Sequence, residues 1–433
     1  MDKIGIRYED KYEMERRVPL VPRHVKELVD KGIEFEVEKS GKRVFKDEEY
    51  IRAGAKLVDK IKTADVVLGV KEMPVDFFEE RKTYIFFSHT IKGQPYNMPM
   101  LRRMMGKKVN LIDYERIVDE QGRRLIFFGR FAGLAGMINS LWSLGMRWKE
   151  KGYITPFLEI KQTHHYHSLD EAKVAVMKVA EDLKSEKLPQ DLSPIVIGIT
   201  GYGHVSKGAQ EILDLLPVKE IPPAGLPRLF DNGNKSDSLI YKVVFEEKHI
   251  AKPKQEGKPF VLQEYYDHPE LYESQFEQYI PNLTVLMNCM YWDDRYPRIV
   301  TKDYLEELFA GNPRLTVIGD VTCDPDGSIE CTHKGTEIED PVFVYDPFTR
   351  KPAMGFKGDG LLVMAVDILP SELPREASQA FSDALVGFMP EIAKTDFNIS
   401  FDKLLLPFPV KKAMILHNGE LTPDYQYLKE YIK

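Results

Sequence analysis

Ile195-Val196-Ile197-Gly198-Ile199-Thr200-Gly201-Tyr202-Gly203-His204-Val205-Ser206 reads as a buried strand, a glycine turn and the first turn of a helix. That order is the context a dinucleotide fingerprint requires. Gly201 would allow the tight turn, and Gly203 would let a pyrophosphate approach the backbone. The helix N-terminus, at His204, Val205 and Ser206, would favour the ligand's charge. Ser206 stands where a third glycine is usual, and Gly208 follows two places later. Apolar Val205, Ala209, Ile212 and Leu213 continue the pattern as an amphipathic helix.

An NAD site needs an acid about 20 residues on, to hold the adenosine ribose. Glu220 lies at 220 − 201 = 19 residues beyond Gly201. Pro222 and Pro223 follow, with no further acid before Asp231. Arg228 could serve a 2′-phosphate or equally be a solvated loop charge, so the residues lean only slightly towards NADP and leave NAD open. Further strands are expected at 241–245, 283–287, 315–318 and 361–366, and 222–258 reads as a loop-rich insertion. Asn288, Cys289 and Tyr291 would end one strand, and Asp320, Cys323 and Asp324 the next. Asn288, Tyr291, Asp320 and Asp324 are therefore cofactor-binding candidates.

The first 130 residues alternate short apolar runs with amphipathic segments, which predicts a mainly parallel sheet. Runs at 66–70, 84–87, 111–112 and 125–128 are expected strands, with helices over 22–31 and 96–105. Lys71, Glu72, His89, Asp113 and Glu115 all stand at the ends of such runs, with Arg124 nearby. On parallel strands they would gather along one carboxyl edge, where open α/β sheets bind ligands. Histidine titrates near neutrality, so His89 is the simplest proton carrier. A lysine base would need its proton affinity lowered by about 3 pH units, roughly 4 kcal/mol. Lys71 is therefore either a tuned base or a cation facing a carboxylate. The arginine pairs Arg16-Arg17 and Arg123-Arg124 precede apolar segments, and bidentate arginine suits a carboxylate substrate.

The chain has 433 residues, enough for two or three domains at ~150 residues each. Hydrophobic residues are 43% and charged residues 30%, which excludes a largely disordered chain. Sixty basic against sixty-eight acidic residues, a net charge of -8, argue against a nucleic-acid binder. Cys289, Cys323 and Cys331 form no disulfide framework or CxxC motif, which suits a reducing compartment. The first residues lack a signal-peptide apolar core, so a cytoplasmic protein is expected. The apolar stretch 131–146 contains Asn139, Ser140 and Ser143 and reads as a buried helix rather than a membrane span. Gly133 and Gly136 in it would allow close approach to a neighbour. His164-His165-Tyr166-His167 has no suitable acidic or cysteine partner nearby, so no metal is expected. Pro374 opens a helical pattern over 375–392. No sequence feature sets an oligomeric state.

Several stretches together resemble one family. They are Glu15-Arg16-Arg17-Val18-Pro19-Leu20, Leu68-Gly69-Val70-Lys71-Glu72-Met73-Pro74 and Phe87-Ser88-His89-Thr90-Ile91-Lys92. Leu111-Ile112-Asp113-Tyr114-Glu115, Phe128-Gly129-Arg130-Phe131-Ala132-Gly133-Leu134-Ala135-Gly136-Met137 and the glycine turn continue the order. Asn288-Cys289-Met290-Tyr291-Trp292, Gly327-Ser328-Ile329-Glu330 and Leu373-Pro374-Arg375-Glu376-Ala377-Ser378 complete it. In these the chain resembles the lysine–ketoglutarate reductase portion of bifunctional alpha-aminoadipic semialdehyde synthase, and more distantly lysine-forming saccharopine dehydrogenase. In fold it resembles alanine dehydrogenase and transhydrogenase.

That resemblance implies an α/β fold of two Rossmann-like domains with a cleft between them. Residues 1–130 and 371–433 would form the substrate domain, and 131–370 the dinucleotide-binding domain. A helix from Phe131 would bridge them, and the cleft would close over the substrates. The implied reaction joins L-lysine and 2-oxoglutarate into saccharopine with NADPH, NAD being possible, in lysine degradation. Lys71 and His89 would be the catalytic pair, Glu72 and Glu115 charge-tuning acids, and Arg17 and Arg124 substrate arginines. The matched length implies a stand-alone reductase without the saccharopine-oxidising half. Two alternatives remain open: a sibling enzyme (an NAD-dependent lysine-forming or other amino-acid dehydrogenase) and a non-catalytic nucleotide-binding sensor. No nucleic-acid or membrane partner is expected.

Overall fold

The computed structural model describes residues 2–185, 188–230 and 236–432. The chain forms two compact α/β units. One is Met1–Phe128 with Pro374–Lys433, the other Gly129–Leu373.

The first unit is built on an eight-stranded sheet. Its order is Glu420–Leu421, Met414–His417, Asn110–Asp113, Thr83–Phe86, Val66–Leu68, Lys3–Ile6, Glu34–Glu38 and Lys56–Val58. The last six run parallel, and Met414–His417 pairs antiparallel to Asn110–Asp113. Alternate side chains enter different cores, as a period of two requires. Leu68, Ile85 and Ile112 pack with Val25 and Leu28 of the helix Pro22–Asp30. Val67, Phe86 and Leu111 pack with Leu101 and Met104 of the helix Met98–Gly106. Pro22 and Pro374 each occupy the first position of a helix, where the missing N–H costs nothing.

The expected strand at 125–128 does not form. Arg124 makes an isolated bridge with Val118, and the next residues run irregularly into the helix Gly129–Glu150. Ile126 is buried, and Phe128 stacks 4.6 Å from Phe381. The apolar run fills the core without joining the sheet.

The second unit also has an eight-stranded sheet. Its order is Lys351–Met354, Val342–Asp346, Leu361–Met364, Val317–Asp320, Val285–Asn288, Ile195–Thr200, Ile240–Phe245 and Val218–Glu220. The last six strands are parallel. Strand order runs outward in both directions from Ile195–Thr200, which makes its carboxyl end a topological switch point. Ile240–Phe245 lies beside it, so the strand expected at 241–245 forms as an internal strand within the stretch otherwise read as loop-rich.

The helix Gly129–Glu150 packs on the helix His204–Leu213 with almost no separation. A Cβ on Gly133 would fall 1.9 Å from the Val205 carbonyl oxygen, and one on Gly208 2.1 Å from that of Arg130. The two glycines therefore permit this crossing. Together they do the close-packing work usually given to the third fingerprint glycine. Among the described residues, no helix is long and apolar enough to cross a membrane.

Candidate functional site

In the first unit, four adjacent parallel strands deliver their carboxyl ends to one edge. Ile6 pairs with Leu68, Leu68 with Ile85, and Phe86 with Asp113. The segments beyond them carry Glu9, Lys11, Glu15 and Arg17, then Lys71 and Glu72, then His89, then Glu115. The edge predicted from strand ends exists. Its fourth contributor is the segment after Lys3–Ile6, which replaces the missing strand at 125–128.

His89 Nδ1 lies 2.7 Å from Glu72 Oε1, and Lys11 Nζ reaches the same oxygen at 2.7 Å. Burial opposes the charge of Glu72, but His89 and Lys11 outweigh it and bring the carboxyl down to about 2. An ionised Glu72 accepts from Nδ1–H, which leaves the His89 Nε2 as the proton-moving atom. His89 is about one-third exposed. Its backbone sits at φ 48°, in the left-handed region that costs a non-glycine residue ~1 kcal/mol. Asn97 Nδ2 donates to its carbonyl at 3.0 Å, and its ring stacks 6.3 Å from Phe87.

Lys71 donates its backbone N–H to Glu9 Oε2 at 3.0 Å, and Val70 donates to Glu9 Oε1 at 2.7 Å. Burial and the nearby charge of Glu15 nevertheless raise Glu9 to about 7. The Lys71 ammonium stands 5.6 Å from the centre of the Tyr12 ring. Burial also works to raise Glu15, but Arg17, and then Lys71, hold its carboxyl below the usual range.

Arg17 grips Glu15 with Nε at 2.8 Å and its terminal nitrogen at 2.6 Å, under the Phe128 ring 4.2 Å away. Both residues are buried. Arg17 is thus committed within the protein and does not present an open fork to a substrate, contrary to the sequence expectation. Arg124 pairs with Glu115 and is half exposed. Asp113 lies beneath the edge, accepting from the Ser88 N–H at 3.0 Å, from the Ser88 hydroxyl and from the Glu115 N–H at 2.8 Å. Burial raises it to about 6, against the pull of Ser88, His89 and Arg124.

In the second unit, Gly201 has φ 80° and donates its N–H to the Phe245 carbonyl at 2.8 Å. A Cβ there would lie 3.3 Å from the Cys289 carbonyl oxygen. Gly203 caps the helix His204–Leu213 and faces open space. A positive-φ turn, open space over Gly203 and a helix N-terminus at a switch point fit a dinucleotide pyrophosphate. His204 is exposed and Val205 half-buried, but Ser206 is buried and accepts from Gln210 Nε2 at 3.0 Å. Only the backbone of Ser206 suits the ligand.

Asn288 and Asp320 are fully buried. Asn288 Nδ2 donates to Asp320 Oδ1 at 2.9 Å and Ser328 Oγ at 2.8 Å, while Thr200 Oγ1 donates to Asn288 Oδ1 at 3.1 Å. Thr322 and Thr332 hydroxyls donate to Asp320 at 2.7 Å each. These two side chains are hydrogen-bonded to one another and to the loops above the strands. Tyr291 and Asp324 are exposed. Cys323 Sγ lies 3.9 Å from Asp367 Oδ1, and Cys289 and Cys331 are buried thiols. His164 lies beside buried Glu372, its Nδ1 3.5 Å from Oε2.

Glu220 ends the edge strand, and its Oε2 lies 3.0 Å from Lys242 Nζ. It is separated from the glycine strand by Ile240–Phe245, so it does not occupy the ribose position expected from spacing. Arg228 is exposed on the short helix Leu226–Leu229, and Asp231 lies outside the described residues. The acids beside the glycine turn are Glu246 and Glu247, at the end of the neighbouring strand. Spacing missed them because it assumes the next strand in sequence is the next in space. Glu9 and Lys11 were missed because the first strand was not read as one.

Two α/β units, the second with a glycine turn at its switch point, define the class of two-unit α/β proteins with a Rossmann-like second unit. The fold matches L-alanine dehydrogenase (TM-score 0.64, 18% identity, 100% of each chain). It also matches transhydrogenase from Sinorhizobium meliloti (TM-score 0.56, 17% identity, 97% of this chain and 100% of that one). The models for the N-terminal and C-terminal domains of alanine dehydrogenase/PNT match residues 5–135 and 264–424. Alpha-aminoadipic semialdehyde synthase of Arabidopsis thaliana is 38% identical over 98% of this chain and 41% of its own length. The mitochondrial synthase of Bos taurus is 35% identical over 99% and 47%. The chain thus spans just under half the length of those synthases. Saccharopine dehydrogenase [NAD(+), L-lysine-forming] of Emericella nidulans is 30% identical over 89% of this chain and 90% of its own. The chain belongs to the saccharopine dehydrogenase family.

Proposed function

We propose that the protein reductively condenses L-lysine with 2-oxoglutarate to saccharopine. The observation that carries this reading is the His89–Glu72 pair, with Lys71 on the same sheet edge. Forming an imine and reducing it requires several proton movements at one carbon–nitrogen centre. The ε-amine, once neutral, attacks the ketone carbon, and its proton ends on the former carbonyl oxygen. That oxygen leaves as water. The turn at Gly201 and Gly203 and the helix N-terminus at His204 would hold a nicotinamide dinucleotide, which would provide the hydride for the imine carbon. His89 Nε2 donates the proton that the departing oxygen needs, and Glu72 fixes the tautomer that makes this possible. Lys71 accepts the proton from the incoming ammonium. Arg124 meets a substrate carboxylate by exchanging Glu115 for it.

The family relatives named for lysine formation support the same chemistry in the opposite direction. Both directions use the same groups, because the proton donor of one is the acceptor of the other. We place residues 1–130 and 371–433 in the substrate-binding role and 131–370 in the dinucleotide-binding role.

The test is oxidation of NADH and NADPH by purified protein with L-lysine and 2-oxoglutarate, each omitted in turn. Turnover requiring both substrates is the expected result. Turnover with ammonia and a 2-oxo acid would make the protein an amino-acid dehydrogenase instead. Coenzyme binding without turnover would favour a sensor.

A further inference from the structure

The glycine turn stands on the carboxyl edge of the second sheet, and a pocket of about 220 Å³ opens on the opposite, amino edge. Three adjacent parallel strands begin there: Ile195–Thr200, Val285–Asn288 and Val317–Asp320. Asp191, Thr284 and Arg314 stand just before these strands and line the pocket. Trp148, at the end of the helix Gly129–Glu150, lines it too, with Lys151 and Tyr153 of the following turn. The volume is below the ~300–1,000 Å³ of sites for drug-sized ligands, which suits a small metabolite.

Two cations stand in this lining, and among the described residues neither forms an ion pair. Arg314 donates a terminal N–H to the Pro194 carbonyl at 2.6 Å, and its Nε is buried with no acceptor. Burial lowers its proton affinity. Lys151 is exposed, yet the protein around it and the nearby Arg147 charge lower its proton affinity as well, against the pull of Asp359. Cations held in such surroundings are costly until an opposite charge meets them. The one acid of the lining is Asp191, which is exposed, so the pocket is net positive. The end of a helix ordinarily repels anions. Here the turn through Gly152, at φ 88°, covers it: the N–H groups of Gly152 and Tyr153 donate to the Lys149 and Trp148 carbonyls at 2.9 Å each. Thr284 Oγ1 accepts from the Val196 N–H at 3.1 Å and can donate its own proton to a ligand.

We propose that this pocket is a second ligand site, separate from the sheet edges that carry the reaction, and that it binds a small carboxylate anion. The Arg314 guanidinium takes the carboxylate, whose planar shape matches its donors, and Lys151 adds the second positive charge. Trp148 and Tyr153 cover the carbon chain of the ligand. Arg314 also holds the carbonyl of Pro194, the residue before the glycine strand, so an occupied pocket braces that strand at its start.

The experiment follows acetylation of individual lysines in the full chain by N-hydroxysuccinimidyl acetate, read by mass spectrometry. The probe ligand is succinate, which has neither the ketone nor the amine that the proposed reaction consumes. Succinate at about ten times its dissociation constant should slow acetylation of Lys151 about tenfold, while Lys149 on the preceding turn reacts as before. Arg314→Gln should raise the succinate needed for this protection about tenfold, the worth of one charge-assisted hydrogen bond. Asp191→Asn should lower it, and Arg124→Ala, at the other sheet, should leave it unchanged. Thermal melts at constant ionic strength give a second reading that does not depend on the Arg314 variant folding. Succinate should raise the melting temperature of the Arg124→Ala protein, and Lys151→Gln should reduce that rise. An acetylation rate of Lys151 indifferent to succinate would overturn the proposal. Equal protection by chloride at the same ionic strength would reduce the effect to screening and overturn it too. Stronger protection by phosphate would overturn the choice of a carboxylate, and weaker protection in Asp191→Asn would show that the acid reads a ligand's ammonium instead.

Discussion

Glu72 Oε1 is shared by two partners, His89 Nδ1 and Lys11 Nζ, each at 2.7 Å. The carboxylate therefore fixes the ring of the proton carrier and is itself pinned from a second loop. Glu72→Gln keeps the shape but offers the imidazole a weaker acceptor. Turnover should fall about tenfold or more, roughly 1.4 kcal/mol in barrier, with coenzyme affinity unchanged. His89→Ala and Lys71→Ala should each cost at least about tenfold as well. Steady-state rates beside coenzyme titrations check this, and near-normal turnover in all three variants would remove the proposed site.

The same edge should leave a mark on stability as a function of pH. Burial and Glu15 lift Glu9 from 4.5 to about 7, so between those values the folded state holds a proton the unfolded state has lost. Its contribution is therefore present below about 4.5 and is lost as pH rises through about 7, amounting to at most about 3 kcal/mol. Glu72 has the opposite sign. It is lowered to about 2, so its contribution is present above 4.5 and lost as pH falls through about 2. Denaturant unfolding from pH 4.5 to 8, values bracketing the Glu9 shift, should show a decline that is shallower in Glu9→Gln. An equal slope in the two proteins would contradict the Glu9 assignment.

The two arginines singled out by sequence should separate cleanly. Arg17 is buried and bidentate on Glu15, so Arg17→Ala strands a buried carboxylate and should cost about 3 kcal/mol or more of stability. Arg124 is half exposed, and its pair with Glu115 contributes little to stability. Arg124→Ala should raise the KM for 2-oxoglutarate about tenfold with the melting temperature nearly constant. A melting loss in Arg124→Ala comparable to that of Arg17→Ala would reverse these roles.

Local pattern sufficed for some of this and failed for the rest. Residues 195–203 are legible because strand, turn and helix are contiguous, and φ at Gly201 follows from the turn itself. Lys71, Glu72 and His89 are legible because charge at the end of an apolar run marks a strand's carboxyl end. Glu247 was not, because the strand it ends is second in space but not in sequence. Residues 125–128 misled because an apolar run can fill a core as well as join a sheet. The difference depends on Phe381, which arrives some 250 residues later. Arg17 looked like a substrate group because bidentate arginine suits a carboxylate and the family resemblance put a substrate arginine there; its carboxylate is instead that of Glu15, two residues away.

Gly133 and Gly208 set the distance between the helix Gly129–Glu150 and the helix that begins at the dinucleotide turn. Gly133→Ala would place its Cβ 1.9 Å from the Val205 carbonyl, against backbone that cannot rotate away as a side chain would. The helices must part, which should cost at least about 2 kcal/mol. The displaced element carries His204 and Val205, so coenzyme affinity should drop along with stability. Gly106 provides the contrast: it ends the helix Met98–Gly106, and a Cβ there meets nothing within 4 Å. Gly106→Ala should be neutral or stabilising by about 0.5 kcal/mol, through its helix propensity and a less flexible unfolded chain. Thermal melts and NADH titrations of the two variants decide the matter. A Gly133→Ala protein that melts and binds like the parent would show that the close crossing does not hold the turn in place.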